Sequence, residues 1–232
     1  MSVTTDPESE PLYWDQFRDT TVGRYLFRRE YAFISRVLGQ GTRARTILDL
    51  GCRSGRLTVP LRNAGHHVVG MDLSPVALRA FRRRSRRIPL VQGDTLNLPL
   101  ADGSFDGVVA IQTLEFVEVS AFMRQCGRVL RPGGLLIFDA LNRRSYKWHL
   151  KNRVGRKLSL PSADLDYGDV LRAIVDHELE ILAVSGYNWL PFTRHSNSRL
   201  VGAAALVEST LRLDRYYQIS PKILVAARRR RS

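Results

Sequence analysis

The chain has 232 residues, enough for one domain with a single well-filled core and barely enough for two. Apolar residues at 44% and charged residues at 25% exclude a largely disordered chain, and no run of about eighteen apolar residues is present to span a membrane. The formal net charge of +14 fits an anionic partner such as nucleic acid, an anionic membrane or a phosphorylated substrate. The basic residues divide into 32 Arg and 4 Lys, and general base composition produces such a bias without any binding task.

The first residues, MSVTTDPESEP, are acidic and polar and lack the basic start and apolar stretch of a secretory signal, so a cytoplasmic address is expected. Apolar and basic residues then alternate with a helical rhythm over 12–38, predicting two helices that Gly39 and Gly41 end. TILDLG at 46–51 is a short apolar run stopped by glycine, the pattern of a buried parallel strand. A helix over 55–64 and a second strand, HHVVGMD at 66–72, follow. Ser74 caps the next helix, which carries Pro75 in its first turn and runs to about Arg84.

IPLVQGD and FDGVVAIQ read as the third and fourth strands. A helix over 119–130 is closed by RPGG, and LLIFDA is the fifth strand. Strand and helix therefore alternate from 46 to 140, which implies a parallel sheet with helices on both faces. Beyond it, 141–165 is basic and loop-like, 167–177 helical, 179–188 a strand, 198–213 helical and 219–227 the last strand before RRRRS. Cys52 and Cys126 sit inside patterned segments rather than in a disulfide framework, so both are expected reduced, and neither has partners at metal spacing.

Three places carry candidate chemistry. The turn ILDLGCRSG sets an acid inside a strand and glycines in the turn, so that backbone and a helix N-terminus can approach a ligand; it lacks the middle glycine of a dinucleotide fingerprint. Asp72, at the end of the second strand, can accept both hydroxyls of an adenosine ribose. In GDTLNLPLADGSFD at 93–106, Asp94 can accept from an adenine amino group, with the Thr95 N–H for a ring nitrogen.

Together with RVLRPGG at 128–134, these segments resemble the class I S-adenosylmethionine-dependent methyltransferases, in order and spacing over about 45–140. The resemblance implies an α/β Rossmann-like sheet of seven strands, mostly parallel with an antiparallel last strand and helices on both faces, with extra N-terminal helices and lid insertions. It implies S-adenosylmethionine as cofactor, with Asp49 orienting the turn and meeting the methionine end. Gly51, Cys52 and Gly55 would supply backbone, Asp72 would hold the ribose, Asp94 and Thr95 the adenine, and Ile111 or Gln112 would flank the sulfonium, with Leu73 also counted in the cofactor site. On this reading the chain is one domain, with a helical cap over 1–44, the cofactor-binding core over 45–140, an acceptor or lid region over 141–218, and a last strand and basic tail over 219–232.

Two positions depart from the family pattern. Arg53 replaces a glycine of the turn, and the expectation is an allowed backbone with the side chain turned outward. QTLEF at 112–116 is similar to the EMLEH of quinone O-methyltransferases but keeps only Glu115 of three metal-capable side chains, so no metal is expected. Glu115, His177, His195 and Tyr187 are the candidate general bases. The favoured acceptor is a small apolar or amphiphilic molecule, methylated on oxygen; nucleic-acid methylation is disfavoured by the absence of an NPPY-like tetrapeptide after the fourth strand, and a non-catalytic cofactor-binding protein would suit Arg53. A basic, acid-free segment over 142–158, beside an apolar segment over 200–213, is expected to meet an amphiphile with an anionic head or the inner face of an anionic membrane. The oligomeric state stays open.

Overall fold

A computed structural model describes residues 16–39, 43–153 and 165–231. In chain order these form α1 (Thr21–Leu38), β1 (Thr46–Leu50), α2 (Thr58–Asn63), β2 (His67–Asp72), α3 (Pro75–Arg84), β3 (Leu90–Gln92), β4 (Phe105–Ala110), α4 (Val119–Val129), β5 (Leu130–Leu141), α5 (Tyr146–Arg153), α6 (Tyr167–Asp176), β6 (Leu179–Tyr187), α7 (Leu200–Thr210) and β7 (Lys222–Arg229), with short 3-10 turns at Leu114–Phe116 and Leu213–Arg215. The strands form one seven-stranded sheet in the order β3-β2-β1-β4-β5-β7-β6. Neighbours from β3 to β5 run parallel, and β7 is inserted antiparallel between β5 and β6. This is the expected Rossmann-like sheet, with β7 as its antiparallel strand.

Both faces of the sheet are buried because alternate residues of the central strands serve different helix layers. Leu136 and Phe138 of β5 and Val225 of β7 pack with Phe122, Met123 and Cys126 of α4 and with Val170 and Ile174 of α6. Ile137 and Leu224 face the other way, against Tyr25, Leu26, Phe33 and Ile34 of α1 and Leu61 of α2. α1 begins where the Thr20 side chain accepts from the Gly23 N–H and ends at Gly39, whose φ of 80° only glycine adopts freely. The earlier helix expected before α1, and the Gly41 stop, fall partly or wholly outside the described residues.

Two sequence expectations are corrected. The helix expected over 119–130 ends at Val129 as RPGG approaches, but the fifth strand starts earlier than LLIFDA: β5 already begins at Leu130, opposite Phe105, and the register shift between Phe105 and Gly107 accommodates the Pro-Gly-Gly. The segment 141–165 is not all loop, because Tyr146–Arg153 is helical. Its sequence carries no apolar period; the helix is fixed by outside partners, with Tyr146 stacked on Trp189 and the Lys147 ammonium donating to the Asn188 carbonyl.

Candidate active site

The carboxyl ends of β1, β2 and β4 meet at one edge, where open α/β sheets present ligand sites. After β1 the chain turns through Gly51 (φ 69°), Cys52, Arg53 (φ 48°) and Gly55 (φ 87°). The N–H groups of Gly51 and Cys52 both donate to the Met71 carbonyl, which ties the turn to β2. A Cβ at Gly51 would stand 2.5 Å from Thr113 Oγ1, and one at Gly55 would stand 2.6 Å from the Phe81 ring. Packing and left-handed backbone therefore demand glycine at both places.

Asp49 lies buried beneath this turn and accepts from the Thr58 hydroxyl. Burial raises its carboxyl to about 7, against the opposing pull of Thr58 and of the Arg56 guanidinium. Asp72 closes β2, and its two oxygens accept from the Arg53 N–H at 2.8 Å and the Ser74 N–H at 2.9 Å. Each oxygen retains a lone pair, so the carboxylate still has capacity for two hydroxyl donors.

Beside the turn opens a cleft, with about 660 Å³ of empty space when the part open to solvent is included. Asp49, Gly51, Cys52, Ile111 and Gln112, all singled out from the sequence, line it together. Leu57 and, from the N-terminal segment, Phe17 and Leu26 give it apolar walls. Gly55 is buried next to the cleft rather than lining it. Leu73 is exposed, with its carbonyl accepting from the Gln92 amide. Asp94 is exposed beyond β3 and accepts from the Leu96 N–H, and Thr95 beside it is half-buried; neither lines the cleft.

Arg53 corrects an expectation. Its backbone is left-handed and its side chain lines the cleft instead of turning outward. The turn fixes this, since the Arg53 N–H is held by Asp72. A left-handed non-glycine costs about 1 kcal/mol. Burial lowers the guanidinium pKa, while Asp72 and Glu115 act in the opposite sense.

The four candidate bases are dispersed. Glu115 is buried in the turn after β4, 3.8 Å from the Lys222 ammonium, and one of its oxygens has no hydrogen-bond partner. Tyr187 is fully buried and donates to Asp139 at 2.6 Å; burial and then the Asp139 and Glu30 charges hold its phenol protonated far above the ordinary range, so it serves as a donor rather than a base. His177 caps α6, bonded to the Ala173 carbonyl and to Ser120, outside the cleft lining. His195 stands edge-on to Phe17, at the cleft wall. Among the described residues no three His, Cys, Asp or Glu side chains converge as a metal-binding group.

Several site residues escaped the sequence reading. Arg18, Arg56 and Arg194 also line the cleft. Behind it runs a buried ionic network. Arg56 pairs with Glu30 of α1 at 2.6 Å, and although burial opposes its charge, Glu30 prevails and raises its pKa. Asp139 at the end of β5 binds Lys222 at 2.7 Å, Tyr187 and the Gln112 N–H; burial alone would raise its pKa, but these partners drive it below the ordinary carboxylate range. No spacing links Glu30, Arg56, Asp139 and Lys222 in the sequence, so only the fold brings them together.

Comparison with known proteins places this geometry. Residues 48–138 match the family model described as a methyltransferase domain. A protein of Mycobacterium tuberculosis named a probable S-adenosylmethionine-dependent methyltransferase is 33% identical over 126 residues, 54% of this chain and 46% of that one. A ubiquinone biosynthesis O-methyltransferase of Methylocella silvestris is 36% identical over 102 residues, 42% and 40% of the two chains. The chain thus spans about half the length of the curated relatives it matches. A solved SAM-dependent methyltransferase from Thermotoga maritima superposes with a TM-score of 0.66 at 16% identity, covering 96% of this chain and 98% of the other. With its sheet order, glycine turn and family match in agreement, the chain belongs to the class I S-adenosylmethionine-dependent methyltransferases.

Proposed function

We propose that this protein transfers a methyl group from S-adenosylmethionine to the oxygen of a small, apolar or amphiphilic acceptor. The observation that carries the reading is the single cleft that joins the β1 turn to Ile111 and Gln112 at the end of β4 and is walled by Phe17, Leu26 and Leu57. The donor set suits the cofactor, with a carboxylate at Asp72 for sugar hydroxyls and a buried carboxyl at Asp49 beneath the turn. The relatives named for quinone methylation favour an acceptor of that general class.

The bound cofactor supplies a methyl already activated by its sulfonium, so the protein's task is alignment and exclusion of water. Asp72 would hold the ribose and the Gly51–Cys52 backbone the methionine end. Ile111 and Gln112 would face the sulfonium, with the Gln112 backbone pinned by Asp139. Proton removal from the acceptor would fall to His195, which stands against the cleft-lining Phe17, or to Glu115, which lines a separate small cavity with Leu114 and Ala140. Isothermal titration with S-adenosylhomocysteine, then transfer of radioactive methyl into fractionated cell extract, tests the reading. Label in an organic-soluble small molecule is expected; label in RNA would replace the proposal by nucleic-acid methylation, and binding without any transfer would reduce the protein to a cofactor-binding one.

An exposed surface favours an acceptor drawn from an anionic membrane. α7 meets the body through Val201 and Glu208, which binds Tyr25 and Arg29, and leaves Leu200, Leu206, Val207 and Leu211 in solvent. Exposed Arg199, Arg212 and Arg215 flank this face. A basic rim around an exposed apolar helix face is the pattern of interfacial binding. The 142–158 segment contributes less than its composition suggests, because Arg144 pairs with Asp166 and Lys147 turns inward to Asn188; the side chains of Lys151 and Arg153, and residues 154–158, lie outside the described residues. No described helix is long and apolar enough to cross a membrane.

A further inference from the structure

α3 and the turn after it carry a charge that the cleft does not use. Arg79, Arg82, Arg83, Arg84, Arg86 and Arg87 fall within nine residues, and no Asp or Glu occurs between Leu73 and Gly93. A bias of arginine over lysine does not by itself remove acids, which number 22 in the whole chain. The helix buries Ala77 and Phe81 over β2 and β3, at the edge of the sheet, and its opposite face meets solvent. Arg79, Arg82 and Arg83 share that face at helical spacings of three and four. Ser85 then leaves the helix in an extended conformation, and the Arg82 guanidinium donates to the Arg86 and Ile88 carbonyls, which holds the turn bearing Arg86 and Arg87 against the helix end.

Two of these arginines have structural tasks, Arg82 in this cap and Arg84 in its bond to Ser54 Oγ at 2.8 Å. Arg79, Arg83, Arg86 and Arg87 are exposed and pair with no acid among the described residues. Like charges held this close repel one another, and a line of phosphates relieves the repulsion through arginine's forked donors. No aromatic or large aliphatic side chain from Ser74 to Gln92 is exposed. The surface thus has neither the apolar face of an interfacial helix nor a platform for stacking unpaired bases, and the partner it fits is the backbone of a paired nucleic acid.

We infer that Arg79, Arg83, Arg86 and Arg87 form a docking surface for the phosphate backbone of duplex nucleic acid, independent of base sequence. None of the four lines the cleft, so the inference concerns docking and leaves the small-molecule acceptor reading as it stands.

Fluorescence anisotropy of the full chain with labelled DNA duplexes of about 20 base pairs, in two unrelated sequences, tests this. Both sequences should bind alike, and four phosphate contacts predict an affinity that falls about a hundredfold between about 50 and 200 mM salt. The variant Arg79→Gln/Arg83→Gln/Arg86→Gln/Arg87→Gln should lose at least about tenfold at the lower salt and flatten the salt dependence. Arg28→Gln/Arg43→Gln/Arg124→Gln/Arg230→Gln removes as many exposed charges elsewhere and should lose less than about threefold. All of these positions are exposed, so neither variant burdens the fold. Equal loss in the two variants would reduce the effect to net charge and overturn the inference. So would polyglutamate competing as well as unlabelled duplex at equal charge, which would make the partner an acidic protein. A loss of phosphatidylglycerol-vesicle binding in the first variant as large as its loss of duplex binding would make the surface a membrane contact, and would overturn it too.

Discussion

Asp139, at the end of β5, accepts the backbone N–H of Gln112, which follows β4 in a left-handed conformation with φ of 58°. The residue that would flank the reacting methyl is thus held in a costly backbone state by a carboxylate from the neighbouring strand. Lys222 and Tyr187 hold that carboxylate in turn, joining β5, β7 and the end of β6 behind the cleft.

Breaking this network at Asp139 leaves Lys222 buried with Glu115, 3.8 Å away, as its remaining acid among the described residues. Asp139→Asn is therefore expected to lower stability by about 3 kcal/mol, the scale for orphaning one charge of a buried pair. Adding Lys222→Met should recover more than half of the loss. Urea unfolding of the two variants checks both statements; a single-variant loss below about 1 kcal/mol would mean that water reaches the ammonium.

Asp72 is half-buried and already engages two backbone N–H groups. Replacing it by Ala should weaken S-adenosylhomocysteine binding by about 1.5 to 3 kcal/mol, the range for losing hydrogen bonds to a charged group. Titration calorimetry on the folded variant measures this, and unchanged affinity would remove the ribose role.

Asp49 gives a pH signature. Its folded carboxyl titrates near 7 and its unfolded one near 3.8, so between those values the folded state keeps a proton that the unfolded state has released. Stability from this group is present below about pH 4, falls as pH rises, and levels off above about pH 7. The slope is at most about 1.4 kcal/mol per pH unit for a single group. Asp49→Asn should flatten that part of the stability profile between pH 5 and 7, and identical profiles in variant and parent would show that Asp49 stays ionised.

The α7 face makes a prediction for lipid. Sedimentation with phosphatidylglycerol vesicles should carry the protein down, phosphatidylcholine vesicles should not, and added salt should release it. Arg199, Arg212 and Arg215 changed to Glu, or Leu206 and Leu211 changed to Ser, should each abolish the binding. Equal behaviour on both vesicle types would discard the membrane reading.

The parallel sheet was legible in the sequence because each buried strand is a short apolar run stopped by glycine or acid, as in TILDLG and HHVVGMD. The cofactor turn was legible because a tight turn that packs Gly51 on Thr113 and Gly55 on Phe81 leaves few residue choices. Those are local constraints, written in neighbouring residues. The conformation of Arg53, the helix Tyr146–Arg153 and the network of Glu30, Arg56, Asp139 and Lys222 were decided by tertiary structure. Arg53 is oriented by Asp72, 19 residues away, and α5 is fixed by Trp189 and Asn188. A buried charge is stable only beside a partner, and that partner can lie anywhere in the chain: Lys222 finds Asp139 across 83 residues. Periodicity records which face of an element is buried, but not which distant group will neutralise a charge placed on it.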